Sequence, residues 1–169
     1  MPEFDAGDPI QWAGRFWSKQ RLGDPTKFMA FGSLLRVHQL VTDELGRVLN
    51  GFDLSLTGYL LLATVQLSPT GARLISQIAT HMMVHPTTVT LTVAKLEAQG
   101  WLERQAHPND RRATYVAITP AGTAQMRSVS RALDKIGYGM FGLTKDQASD
   151  LLDFLTPIRR MAGDSTQMS

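Results

Sequence analysis

Residues 74–119 read LISQIATHMMVHPTTVTLTVAKLEAQGWLERQAHPNDRRATYVAIT, and three patterns follow one another in that stretch. Ile75, Ile78, Ala79 and Met82 recur at helical steps and predict a short helix. After a turn, His85-Pro86 opens a second helix, since proline at the first helical position lacks only an N–H that has no partner there. Two alternating segments, residues 101–106 and 113–118, then flank the tip His107-Pro108-Asn109-Asp110-Arg111-Arg112 and predict a strand pair. Helix, turn, helix, hairpin is the order of a winged helix-turn-helix, which implies binding to DNA rather than turnover of a substrate.

The residue types within this order suit that reading. The first helix needs a small residue where the second crosses it, and the second an apolar residue aimed into the corner. Ala79 and Val89 are expected in those places, with Ile75, Ile78, Met82, Val93 and Leu96 forming the seam. The opposite face then carries His85, Pro86, Thr87, Thr88, Thr90, Leu91 and Lys95. Threonines near a helix N-terminus bond phosphates or base edges, and their methyls pack on thymine C5 methyls. At the hairpin tip Arg111 and Arg112 reach toward a minor groove, with Asp110 able to hold one guanidinium in a fork. Arg73, just before the first helix, is expected to share in phosphate contact.

The rest of the chain bounds what surrounds this head. Its 169 residues, 43% hydrophobic and 19% charged, suffice for one folded domain of ordinary size. Net charge is only +2, so no whole-chain field announces nucleic acid, and the placement of individual cations matters more. The absence of cysteine excludes disulfides, thiolate metal sites and thiol chemistry. No stretch approaches the ~20 apolar residues of a membrane span, and the acidic start is unlike a secretory leader. A cytoplasmic protein without a membrane partner is expected.

Asp8-Pro9 and Asp24-Pro25 each place a capping acceptor before a proline and predict two helix starts. The first, to about Gln20, is loaded with Ile10, Trp12, Phe16 and Trp17; the second carries Phe28, Phe31, Leu35, His38, Val41, Leu45 and Val48 and ends at Gly51. Residues 56–67 predict a buried post. Thr119-Pro120 opens a helix reaching about Met140, weakened by Gly137, Gly139 and Gly142. Thr144 and Gln147 form a capping box for a last helix to about Met161, with Ala148, Leu151, Leu152, Leu155 and Ile158 inward. The expected fold is thus mainly α with a small β-hairpin. Residues 1–23 form an aromatic extension, 24–55 and 120–162 a helical dimerisation region, 56–119 the winged head and 163–169 a loose tail. The alternative to a dimer is a monomeric bundle in which the same stripes meet inside one chain.

Thr87-Thr88-Val89-Thr90, Lys95-Leu96-Glu97, Gly100-Trp101-Leu102-Glu103-Arg104, Asp110-Arg111-Arg112 and Thr119-Pro120-Ala121-Gly122 together resemble the core of MarR-type (multiple antibiotic resistance regulator) transcription factors. The resemblance spans roughly residues 28 to 160. It implies a homodimer that represses from a pseudo-palindromic operator on double-stranded DNA. It also implies release by a small effector, an aromatic acid or acyl thioester, bound between head and dimer layer. In that pattern the helix from Pro86 reads the major groove and Arg112 is the wing arginine. Three departures stand out: Met83 occupies a turn position where glycine is common, while Pro86 and Leu91 stand where basic or polar residues are frequent.

Other chemistry has weaker footing. His81 and His85 lie four apart, but the expected turn separates them and no cysteine or carboxylate completes a metal set. His38 and Tyr59 read either as satisfied core polars or as effector contacts, and Trp12 and Phe16 either as packing or as part of an effector cleft. No phosphate loop, nucleophile elbow or paired carboxylate points to an enzyme, and no cofactor is expected. The competing function classes are a winged-helix protein-interaction module and a ligand-independent regulator.

Overall fold

The computed structural model describes residues 7–106, 113–140, 142–161 and 163–164. It is mainly helical with one small antiparallel sheet. The helices are α1 (Pro9–Lys19), α2 (Thr26–Asn50), α3 (Leu56–Gln66), α4 (Ile75–Met82), α5 (Pro86–Ala98), α6 (Pro120–Lys135) and α7 (Lys145–Met161). The strands β1 (Ala72–Leu74), β2 (Leu102–Ala106) and β3 (Thr114–Ile118) lie in the order β1-β3-β2.

The helices begin where their caps allow. Asp8 accepts the Ile10 N–H at 2.8 Å, Ser55 the Gly58 N–H at 3.0 Å, and Thr119 the Gly122 N–H at 3.0 Å. Each bond satisfies a first-turn donor and contributes about 1 kcal/mol. The expected box at α7 is reciprocal: Gln147 Oε1 accepts from Thr144 N at 2.9 Å and Thr144 Oγ1 from Gln147 N at 3.3 Å.

α3 is the central post. Its Leu61, Leu62 and Val65 are fully buried, joined by Leu49 of α2, Ile78 of α4, Val89, Val93 and Leu96 of α5, Val116 of β3, and Val129 and Leu133 of α6. Ala79 and Val89 occupy the corner as expected, both buried. Burial of each large aliphatic contributes about 1.5–3 kcal/mol, so this seam fixes α5 on the body.

Several expectations are corrected. The sheet has three strands, not two: β1 pairs with β3 in the register Ala72↔Ala117, Arg73↔Val116, Leu74↔Tyr115. Three residues are too few to show alternation, and they are held by tertiary bonds, Ser68 Oγ to Ala72 O at 3.0 Å and Ile118 N to Gly71 O at 3.0 Å. α6 stops at Lys135 rather than near Met140, because Gly137 (φ 54), Tyr138 (φ 53) and Gly139 (φ 72) turn left-handed. Gly51 ends α2 at φ −64, and the left-handed residue of that elbow is Asp53 (φ 50). Met83 does adopt the glycine-like conformation of the helix-turn-helix turn, φ 51 and ψ 41. Its side chain is 79% exposed, so nothing around it enforces the conformation by packing, and the two helices it joins must hold it.

The expected inner face of α7 is not buried within one chain. No residue of α7 is buried; Leu152 and Ile158 are exposed, and so is Phe154 at 72%. The N-terminal half of α2 is similarly bare, with Phe31, Leu34, Leu35, Val37 and Leu40 exposed. His38 shares this surface, so it is not the satisfied core histidine its place on the stripe suggested. α1 packs along the start of α2, where Trp17 stacks on Phe28 with ring centroids 4.3 Å apart.

Candidate nucleic-acid interface

α5 is opened by His85, whose Nδ1 accepts the Thr87 N–H at 3.2 Å, with Pro86 in the first turn. An imidazole that accepts at Nδ1 carries its proton at Nε2, which leaves one donor for a group outside the chain. Burial of Val89, Val93 and Leu96 turns Pro86, Thr87, Thr88, Thr90, Leu91 and Lys95 to solvent, and all six are exposed. Thr90 Oγ1 donates to Pro86 O at 3.1 Å, which leaves its methyl and an oxygen lone pair outward. Leu91, 67% exposed, makes the centre of this face apolar. Such a surface fits base edges and thymine methyls better than phosphates.

Lys95 is not the free cation expected of it. Its Nζ lies 3.2 Å from Asp53 Oδ1, and Gln99 Nε2 reaches the same residue at Oδ2 (2.8 Å) and O (3.1 Å). The elbow between α2 and α3 thus grips the second half of α5 across a sequence separation no local pattern reveals. Asp53→Asn keeps the shape of the side chain but removes the counter-charge from Lys95. A surface pair of this exposure contributes at most about 1 kcal/mol, so folding should barely change. Affinity for random-sequence duplex should rise about two- to fivefold with a steeper salt slope, read by fluorescence anisotropy across a salt series. An unchanged slope would show that Lys95 is not a latent phosphate contact.

A second link joins α5 to the hairpin. Glu97 Oε2 pairs with Arg104 Nε at 3.2 Å, Glu97 Oε1 accepts the Arg104 N–H at 3.3 Å, and Arg104 Nη2 reaches Thr90 O at 3.5 Å. The base of the wing is therefore stapled to the exposed helix, although the sequence marked these residues only as parts of a motif. The wing-tip residues Asp110, Arg111 and Arg112 lie outside the described residues. Arg73 sits on β1 and has no ion pair among the described residues.

The residues considered for an effector are spread over three helices, Trp12 and Phe16 on α1, His38 on α2 and Tyr59 on α3. Tyr59 of α3 meets Tyr138 and Ser130; burial above all, and then Tyr138, pushes its phenol up to about 12, so it stays a protonated donor at neutral pH. Trp12 and Phe16 pair at 4.9 Å on α1, with Lys19 Nζ 5.0 Å from the Phe16 ring. α1 meets α2 near Gly32, which lies against Ile10, whereas Gly139 beside Tyr138 lies against Val41. Nine residues of helix separate those points, roughly 14 Å. His38 falls between them on α2.

Among the described residues no cluster of His, Asp or Glu could hold a metal ion, and no helix is long and apolar enough to cross a membrane. The description "MarR family" belongs to the family model that matches residues 54–114, from the α2–α3 elbow into β3. The chain is 30% identical over 121 residues to the HTH-type transcriptional regulator PecS of Dickeya dadantii (strain 3937), covering 67% of this chain and 69% of that one. It is 31% identical over 121 residues to the HTH-type transcriptional repressor IacR of Pseudomonas putida, covering 70% of each. Its fold is similar to that of Sco5413, a MarR family transcriptional regulator from Streptomyces coelicolor, with a TM-score of 0.76 and 28% identity over 86% of this chain and 100% of that one. A winged head within the matched segment, and relatives at this identity over more than two thirds of their length, lead to one conclusion: the chain belongs to the MarR family, whose members are transcriptional regulators and not enzymes.

Proposed function

We propose that the chain is a homodimeric repressor that binds a pseudo-palindromic DNA operator and is released by a small aromatic acid or acyl thioester. The observation that carries the reading is a division of surfaces: exposed His85, Thr87, Thr88, Thr90 and Leu91 on the head, and bare apolar faces on α2 and α7 elsewhere. Residues 56–119 act as the reading head. Residues 24–55 and 120–162 join two copies and set the recognition helices about one helical turn apart, roughly 34 Å. Its place of action is the cytoplasm. IacR is itself a transcriptional repressor, which supports repression as the mode of action.

Release requires an effector that prefers the non-binding geometry, since equal affinity for both states shifts nothing. Tyr59, with Tyr138 and Ser130 around it at the join of α3 and α6, is the group we assign to that effector; Trp12, Phe16 and His38 enter if a partner chain brings them near. A protein-interaction role is the second reading, favoured by the cation-poor face of α5 and the pairing of Lys95 with Asp53. The test is an anisotropy titration against the DNA upstream of the chain's own gene and against random duplex. Affinity at least 100-fold higher for the upstream DNA and a steep salt dependence are expected. Equal affinity for both duplexes would refute sequence-specific repression.

A further inference from the structure

Between α6 and α7 the chain makes three consecutive left-handed residues, Gly137 at φ 54, Tyr138 at φ 53 and Gly139 at φ 72. One left-handed residue after a helix is an ordinary stop, but a run of three with an aromatic in the middle is not. Glycine takes this conformation freely, whereas the Cβ of Tyr138 crowds the carbonyl oxygen that follows it. The turn closes through Gly139 N to Ile136 O at 3.0 Å and Met140 N to Gly137 O at 2.9 Å. Two contacts from outside hold it. Gly139 is buried against α2, where a Cβ would stand 3.3 Å from Val41 Cα and 3.4 Å from Val41 O. The Tyr138 side chain meets the phenol of Tyr59, which α3 carries against the core. Beyond the turn, Leu143 N donates to Met140 O at 3.1 Å and Thr144 caps α7. No residue of α7 is buried, so packing inside one chain does little to fix that helix, and its direction is inherited from the turn.

We infer that this turn is a strained joint latched by the contact between Tyr59 and Tyr138, and that opening the latch lets Tyr138 leave the left-handed region and re-aims α7 against the head. The strain supplies the drive and the phenol pair the restraint, so one hydroxyl on α3 governs the course of a helix beyond the turn. For its effect on DNA this rests on the dimer and effector reading above, which it deepens. A ligand that takes the Tyr59 hydroxyl from Tyr138 works the joint, and the angle of α7 sets the spacing of two heads.

Amide exchange and DNA anisotropy are measured on full-length wild type, Tyr59→Phe, Tyr138→Asn and the double variant, with melting curves to confirm folding. Tyr59→Phe keeps the ring and removes the hydroxyl. The Gly139 and Met140 amides are then expected to exchange about tenfold faster, the strain of one left-handed residue expressed as an equilibrium. Affinity for the upstream duplex should fall about five- to tenfold, while random duplex, which needs no fixed spacing of heads, stays within about twofold of wild type. Asparagine tolerates the left-handed region, so Tyr138→Asn and the double variant should keep exchange and affinity within about twofold of wild type. Exchange in Tyr59→Phe equal to wild type would overturn the latch. Exchange in the double variant as fast as in Tyr59→Phe would overturn strain as its drive. Faster exchange spread evenly over α3 and α6 would overturn the inference by assigning the phenol to general packing of the head, and faster exchange at the turn with unaltered upstream affinity would overturn the re-aiming of α7. Failure of wild type to prefer the upstream duplex would remove the repressor reading alone, with amide exchange still deciding the latch.

Discussion

Gly122→Ala should cost about 3 kcal/mol or more of stability and lower Tm by roughly 6–12 °C. Gly122 lies in the first turn of α6, where the chain passes over the hairpin base. A Cβ there would overlap the Trp101 carbonyl oxygen and come within 2.9 Å of both the Trp101 carbonyl carbon and Ile118 Cγ1. Backbone cannot swing aside as a flexible side chain does. The same region is bonded through Thr119 N to Trp101 O at 3.1 Å and Thr119 Oγ1 to Gly100 O at 2.7 Å, so α6 could lift only by breaking the join between wing and helix. Gly46 supplies the control: within α2, nothing lies within 4 Å of its missing Cβ, and alanine there should stabilise by about 0.5–1 kcal/mol. Parallel thermal melts of the two variants decide the matter, and equal melting of Gly122→Ala and wild type would contradict the close approach.

In the homodimer proposed above, Phe154→Asp should separate the two copies into single chains of 18.7 kDa and weaken operator binding by about 10²–10⁴, the avidity lost with the second head. Phe154 is 72% exposed in one chain, so folding of that chain has little to lose. With Ile158 and Met161 it forms a stripe at helical steps on α7. A charge placed between two such faces must be desolvated without a partner, which the association cannot tolerate. Phe31→Asp on α2, also exposed at 56%, tests the opposing element independently. Sedimentation and anisotropy read both effects. If both variants remained dimeric at wild-type affinity, these faces would not join the copies, and the operator geometry proposed here would need another origin.

How far the sequence was legible depended on the range of the forces involved. The caps at Asp8, Thr119 and Thr144 are local chemistry and stand where their residues predict, whereas α2 opens at Thr26 with Pro25 as its cap residue, one position later than Asp24-Pro25 predicts. Ala79 and Val89 were placed by the geometry of one helix crossing another, and the turn position of Met83 by the resemblance. β1 was missed because its identity lies in its partner, β3. The grip of Asp53 on Lys95 and Gln99, and of Glu97 on Arg104, joins residues that no periodicity connects. Gly122 appeared in the sequence only as a member of a motif, and the carbonyl that forbids a side chain there is visible only in three dimensions. His38 shows the reverse error: its place on an apolar stripe suggested a core histidine, when burial depends on whether another surface arrives to cover it.

The length of α2 carries a mechanical consequence. Its 25 residues make a rod of about 37 Å, running from the bare apolar end to the elbow that grips α5. A rod of that length is a lever: a tilt of about 5° at one end sweeps the other through about 3 Å, close to the 3.4 Å rise per base along a DNA strand. In the proposed ligand release, an effector therefore need not unfold or reshape the head to dislodge it. In the proposed dimer, a change of angle too small to disturb any hydrogen bond within the winged head is enough to put the two recognition helices a base pair out of step.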